Sequence, residues 1–254
     1  MKLKTIAVVV TVVGLIISLC INMVLYQQVM NQYRMLQRVR LDPSSARVYA
    51  GANARLEEPA PGVARIIFFG DSRMAYWKPL PAPANSQLLN RGMPAETTAQ
   101  AVLRLKPDVL DLKPNIAVVQ VGINDLKNIG LFPERRDKIV TSCWENLNTI
   151  ARRMGEHNIH VVLLTVFSPG PVDLYHRTLW SNDIREGVDQ VNEKMIGVIG
   201  PGITVVDCDA ILSPDQSVKP AYAQGTYHLA SAGYLALNDA LRPILEELIQ
   251  DLLK

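Results

Sequence analysis

Residues 66–69 read Ile-Ile-Phe-Phe, a continuous apolar run that stops at Gly70 and gives way to Asp71, Ser72 and Arg73. A short apolar run bounded by a turn signal reads as a strand of a parallel sheet, buried on both faces. Segments 116–121 and 160–166 have the same character. With two weaker runs, the pattern predicts strands at 65–69, 87–90, 116–121, 160–166 and 203–206. Helices are expected near 97–110, 135–157, 182–199 and 231–253. Strand and helix alternate, so the expected fold is α/β: a three-layer α/β/α sandwich around a five-stranded parallel sheet, flavodoxin-like in outline. No internal repeat is visible.

In such sheets, ligands and chemistry collect at the C-terminal ends of the strands. Ser72 is delivered there, although Gly-Asp-Ser alone is also an ordinary turn. Three further segments accompany it. Asn90-Arg91-Gly92-Met93-Pro94-Ala95-Glu96-Thr97-Thr98 follows Leu88-Leu89. Gly122-Ile123-Asn124-Asp125 follows the third strand, and Gly225-Thr226-Tyr227-His228-Leu229 precedes the last helix. Ser72, Gly92, Asn124 and His228 in this order resemble the SGNH (GDSL-type) hydrolases, over about residues 64–250. Residues 90–98, the Arg104-Leu105-Lys106 stretch and Val121-Gly122-Ile123-Asn124-Asp125 are most similar to the platelet-activating-factor acetylhydrolase catalytic subunits. The resemblance implies the flavodoxin-like SGNH fold and a serine hydrolase. Ser72 would be the nucleophile and His228 its base. The Ser72 and Gly92 N–H groups and the Asn124 amide would form the oxyanion hole. The chemistry suits these residue types. A serine hydroxyl needs a base to take its proton, and histidine titrates near working pH. A tetrahedral oxyanion needs preorganised donors. Gly92, without Cβ, is expected to let substrate approach the backbone closely.

One departure stands out. The family usually carries Asp three residues before the histidine, to orient the imidazole, and here that position is Gly225. Three readings remain open. A backbone carbonyl holds His228; or Asp207, Asp209 or Asp215 reaches it; or the site is weakened or dead.

Other residues carry weaker signals. Arg73 either meets an anionic substrate or faces water on the first helix. His176, in the loop after the fourth strand, and Tyr227 are candidate substrate contacts, while Trp180 reads as packing. Asp71 and Asp125 follow the family pattern as structural hydrogen-bonders. His157 and His160 read as solvated or capping residues. No cluster has metal-ligand spacing, so no metal is expected, and no nucleotide-binding loop points to a cofactor. The net charge of +2, without a basic stripe, gives no sign of nucleic acid.

Residues 6–26 carry no charge, and only Thr11, Ser18 and Asn22 are polar, which is long enough to span a bilayer. The expected organisation is a tail at 1–5, a transmembrane signal anchor at 6–26, a helical stalk at 27–41, a linker at 42–63 and the hydrolase domain at 64–254. A cleaved signal peptide and, through Cys20, a lipoprotein are rival readings. Basic residues nearly balance across the span, and a large domain translocates regardless of charge, so the domain is expected in the periplasm or outside the cell. The stalk is either a plain spacer or a pairing helix for a homodimer. Cys143 and Cys208 either pair or stay as free thiols. The leading expectation is a membrane-anchored serine esterase removing a short acyl group, acetyl among the candidates, from an envelope glycan or lipid. An O-acyltransferase and a catalytically silent glycan- or partner-binding protein are the alternatives.

Overall fold

The computed structural model describes residues 2–43, 48–198, 200–213 and 217–252 of the chain. The chain divides into two compact units, Met1–Ser45 and Ala46–Lys254. The first is one uninterrupted helix, α1 (Lys2–Leu41), with no buried residue. The expected span and stalk are thus parts of a single rod. By length and composition α1 is able to cross a membrane.

The second unit holds the sheet. Strands β1 (Ala64–Gly70), β2 (Ser86–Gly92), β3 (Ile116–Gln120), β4 (His160–Leu164) and β5 (Ile203–Val206) form one sheet in the order β2-β1-β3-β4-β5. Every neighbouring pair is parallel, with Gly70 level with Gly92 on one side and Gln120 on the other. Helices α2 (Ala50–Asn53), α3 (Ser72–Ala75), α4 (Thr98–Asp108), α5 (Ile123–Leu126), α6 (Arg136–Gly155), α7 (Asn182–Ile196), α8 (Cys208–Leu212) and α9 (Ser231–Leu252) complete it.

Successive strand residues point to opposite faces. Ile67, Phe69, Ala117, Val119, Val161 and Leu163 pack against α4, α6 and α7. Ile66, Phe68, Ile116, Val118, Val162 and Leu164 pack against α8 and α9. Both faces are dry, which is why the strands read as continuous apolar runs. Cys143 lies in the first core and Cys208 in the second, each a free thiol, so they do not pair.

Several expected boundaries shift for local reasons. β4 stops at Leu164, short of 166. There the Asn192 amide takes over both backbone groups of Val166, at 2.8 Å each. α7 ends at Ile196 with Gly197 as its C-cap. The expected helix ends at Ile199 and Leu253 lie outside the described residues. The short helices α3, α5 and α8 are too brief for periodicity to reveal.

The expected linker at 42–63 is corrected in part. Asn53 of α2 donates to Pro107 O at 3.0 Å and to Asp108 Oδ1 at 2.9 Å, and accepts from Arg91 Nε at 3.0 Å. The Arg91 guanidinium lies 4.9 Å from the Tyr49 ring centre, and Glu57 O accepts from Arg65 Nη2 at 2.6 Å. Alanine, proline and glycine content suggested a tether, yet a few polar side chains dock this segment onto β2 and α4.

Candidate active site

Ser72 stands at the turn where β1 ends. Asp71 caps the short helix α3, its Oδ1 accepting from Arg73 N at 2.9 Å, so Ser72 begins α3 at the sheet's C-terminal edge. His228 comes from an antiparallel hairpin, β6 (Ala223–Gln224) and β7 (His228–Leu229), in which Gln224 pairs with His228. Gly225 opens the intervening turn at φ +68°, a left-handed conformation that suits glycine. The hairpin sets Ser72 Oγ and His228 Nε2 3.0 Å apart. The Tyr76 ring lies 5.5 Å from the imidazole.

Asn124 sits in α5, just past the end of β3, and its Nδ2 donates to Glu96 O at 2.9 Å. Glu96 is itself anchored. Its carboxylate receives Arg104 Nε and Nη2, while Arg104 also bonds Asp108 at 3.2 Å and Gly70 O at 3.0 Å. Burial pushes the Glu96 carboxyl up and the hydrogen bonds from Arg104 hold it down. Asp125 pins the start of α4, accepting from Thr98 N at 2.8 Å and Thr98 Oγ1 at 2.7 Å.

Ser72, Asn124, His176, Tyr227 and His228 line one cleft of about 280 Å³. Gly92 does not line it. Its N–H donates to Asn90 Oδ1 at 2.8 Å. A Cβ at residue 92 would fall 2.2 Å from Ala75 N, so the close approach of α3 requires glycine there.

Neither expectation for Arg73 holds. It is 1% exposed, with its guanidinium 3.6 Å from the Phe167 ring centre. It donates to Tyr227 O at 2.9 Å and Phe167 O at 2.8 Å, tying the nucleophile's helix to the histidine's hairpin. Burial lowers its pKa to about 10, which leaves it charged at neutral pH. His228 feels that charge. Burial first, then Arg73, Lys127 and His176, hold its pKa below the usual value. The imidazole is therefore neutral near pH 7 and free to accept a proton.

The candidate acids are committed elsewhere. Asp207 caps α8, accepting from Asp209 N at 3.0 Å and Ala210 N at 3.3 Å. Asp209 accepts from Ser168 N at 2.7 Å and Ser168 Oγ at 3.0 Å. Asp215 lies outside the described residues. Among the described residues, neither a carboxylate nor a backbone carbonyl bonds His228 Nδ1. The cleft does contain residues that the sequence did not single out: Tyr76, Lys127 and Asp173. Asp173 accepts from His176 Nδ1 at 2.8 Å and from Thr226 Oγ1 at 3.0 Å. The hydrogen bond from His176 holds its carboxyl down at about 2. An Asp three residues before a His in a cleft loop was the available signal. His157 and His160 take no part; they bond Arg153 O and Thr204 Oγ1, each at 2.9 Å. Among the described residues no His, Cys, Asp or Glu group could hold a metal ion.

The GDSL-like lipase/acylhydrolase family matches residues 68–236. Solved structures of the same fold include a GDSL-like lipase from Bacteroides thetaiotaomicron, 20% identical, with a TM-score of 0.64 over 80% of this chain and 98% of that one. A Streptococcus protein described as a platelet activating factor is 21% identical, with a TM-score of 0.65 over 85% and 99%. An acetylxylan esterase from Geobacillus stearothermophilus is 19% identical, with a TM-score of 0.52 over 74% and 96%. No curated protein matches the chain.

Proposed function

The chain belongs to the GDSL-like lipase/acylhydrolase family of the SGNH superfamily, and on that premise we propose that it is a serine esterase removing a short acyl group from an envelope glycan or lipid. One observation carries the reading: Ser72 Oγ lies 3.0 Å from His228 Nε2, in the cleft that the Asn124 amide also lines.

As Ser72 Oγ attacks the ester carbonyl, His228 Nε2 takes its proton. The oxyanion is received by Ser72 N–H and by the second amide hydrogen of Asn124, the first being held by Glu96 O. Gly92 N–H joins them only when Asn90 Oδ1 releases it. Collapse expels the alcohol, which takes the proton from His228 and leaves an acyl-enzyme on Ser72. Water, deprotonated by His228, then attacks the acyl carbon and frees the acid and Ser72.

A cleft of about 280 Å³ lies at the lower edge of the usual range for drug-sized ligands, in keeping with a small acyl group. Acetyl is the first choice, by analogy with the acetylxylan esterase of the same fold. The platelet-activating-factor acetylhydrolase branch is the subgroup its motifs favour. In this reading α1 is an uncleaved anchor whose stalk is either a spacer or a pairing helix, and the domain works in the periplasm or outside the cell.

The test is hydrolysis of p-nitrophenyl acetate and longer esters by wild type and Ser72→Ala, with fluorophosphonate labelling followed by intact mass. Expected are faster turnover of the short ester, loss of turnover in Ser72→Ala, and one adduct on Ser72 that His228→Ala suppresses. A folded wild type that takes no adduct would refute the esterase and favour a silent binding cleft.

A further inference from the structure

We propose that Asp173, on the loop after β4, is the orienting acid of His228, replacing the carboxylate missing at position 225. This rests on the esterase reading above.

The argument starts from space. A Cβ built at Gly225 would lie 3.4 Å from Asp173 Oδ2, so this carboxylate occupies the volume into which a side chain at 225 would project. Gly225 leaves that volume open, and Asp173 fills it from another element. The φ of +68° at Gly225 is a left-handed conformation that glycine adopts freely and aspartate tolerates better than most residues.

The loop that carries Asp173 is fastened to the histidine's own turn. Gly170 N donates to Thr226 O at 2.8 Å, Asp173 N donates to Thr226 Oγ1 at 3.0 Å, and Thr226 Oγ1 donates back to Asp173 Oδ2 at 3.0 Å. Among the described residues, Asp173 is the one carboxylate lining the cleft with Ser72 and His228. Its present imidazole partner is His176, whose ring stands edge-on to Tyr227, 4.9 Å between centres. In the proposed rearrangement the Asp173 carboxylate releases His176 Nδ1 and accepts from His228 Nδ1–H, which has no partner among the described residues.

Charge supplies the incentive. The groups acting on His228 are Arg73, Lys127 and His176, all opposing a positive imidazole, with the Tyr76 ring alongside. When Nε2 takes the Ser72 proton, none of these groups offers the imidazolium a counter-charge, and Asp173 supplies it. The proton that crosses is the serine's; Nδ1–H stays on His228 and donates to Asp173 Oδ2, which remains a carboxylate. Asp173 is thus a positioning residue.

The experiment measures p-nitrophenyl acetate kinetics against pH for the full chain, comparing wild type with Asp173→Asn, Asp173→Glu and the double variant Asp173→Asn/Gly225→Asp. Asp173→Asn is expected to lower kcat by about 10²–10⁴, with KM little changed. The acid limb of its kcat/KM profile is expected to move to lower pH, because a carboxylate that favoured imidazolium has gone. Asp173→Glu should keep the limb in place, and it carries the test if Asp173→Asn does not fold. Recovery of kcat in the double variant would support the shared volume. A limb that stays put in folded Asp173→Asn, kcat within about threefold of wild type, or a limb displaced in Asp173→Glu would overturn the proposal. In each of those cases wild-type activity that depends on Ser72 leaves the esterase reading standing. A wild type without such activity takes both down together.

Discussion

His228 sits between a hydroxyl that must lose a proton and a set of positive charges that disfavour gaining one. Burial, Arg73, Lys127 and His176 all lower its pKa from 6.5. A base must be neutral to act, and a lowered pKa keeps it neutral to lower pH. In Asp173→Asn, where no carboxylate offsets these charges, the acid limb of kcat/KM is therefore expected below 6.5, with a flat rate from there to neutrality; a limb at or above 6.5 in that variant would contradict the geometry. Arg73→Met separates two of these effects. Tyr227 O and Phe167 O would lose their donor inside the protein. Each unsatisfied buried group costs about 1–3 kcal/mol. The midpoint of urea unfolding is expected to fall accordingly. Removing the positive charge should also move the acid limb up, the direction opposite to Asp173→Asn.

Between residue and domain, the segment joining β2 to α4 lines part of the cleft through Pro94 and Ala95 and holds the Asn124 amide through Glu96 O. Its support is the buried cluster of Glu96, Arg104 and Asp108, none more than 3% exposed. Removing one member of a buried ion cluster leaves uncompensated charge, at about 3–5 kcal/mol. Arg104→Leu is expected to lose that much stability in urea unfolding. It should also lose turnover below the unfolding range, because Glu96 O holds the Asn124 amide. Full stability in Arg104→Leu would mean that Glu96 and Asp108 are held by something other than this pair. Motif spacing placed Ser72, Gly92 and Asn124 at strand ends, and the structure explains why spacing was informative: parallel strands end at one edge of the sheet. The hairpin holding His228 was not legible, because two-residue strands carry no periodicity.

For the molecule as a whole, the folded unit begins ahead of the apolar strands. Asn53 supplies partners to Arg91, Pro107 and Asp108, and Glu57 O to Arg65, and all four belong to the folded sheet and α4. A chain lacking residues 1–45 is expected to unfold cooperatively in urea. A chain lacking 1–60 should be weaker by about 3 kcal/mol, since hydrogen bonds to charged groups contribute about 1.5–3 kcal/mol each. Equal midpoints would show that α2 is dispensable.

What the sequence determined by itself was whatever local chemistry writes into a contiguous stretch. Apolar runs specified strands buried on both faces, the Gly-Asp-Ser turn specified where the serine emerges, and the length of 6–26 specified a helix able to span a bilayer. Family resemblance ordered the four motif segments. The tertiary structure alone decided which side chains from distant segments share a space. It sank Arg73 beneath the site, and it gave Gly92 its reason in the backbone of Ala75. It brought Asp173 beside the empty Cβ position of Gly225. Those outcomes depend on how two loops after different strands pack together, and no spacing along the chain encodes a distance across it.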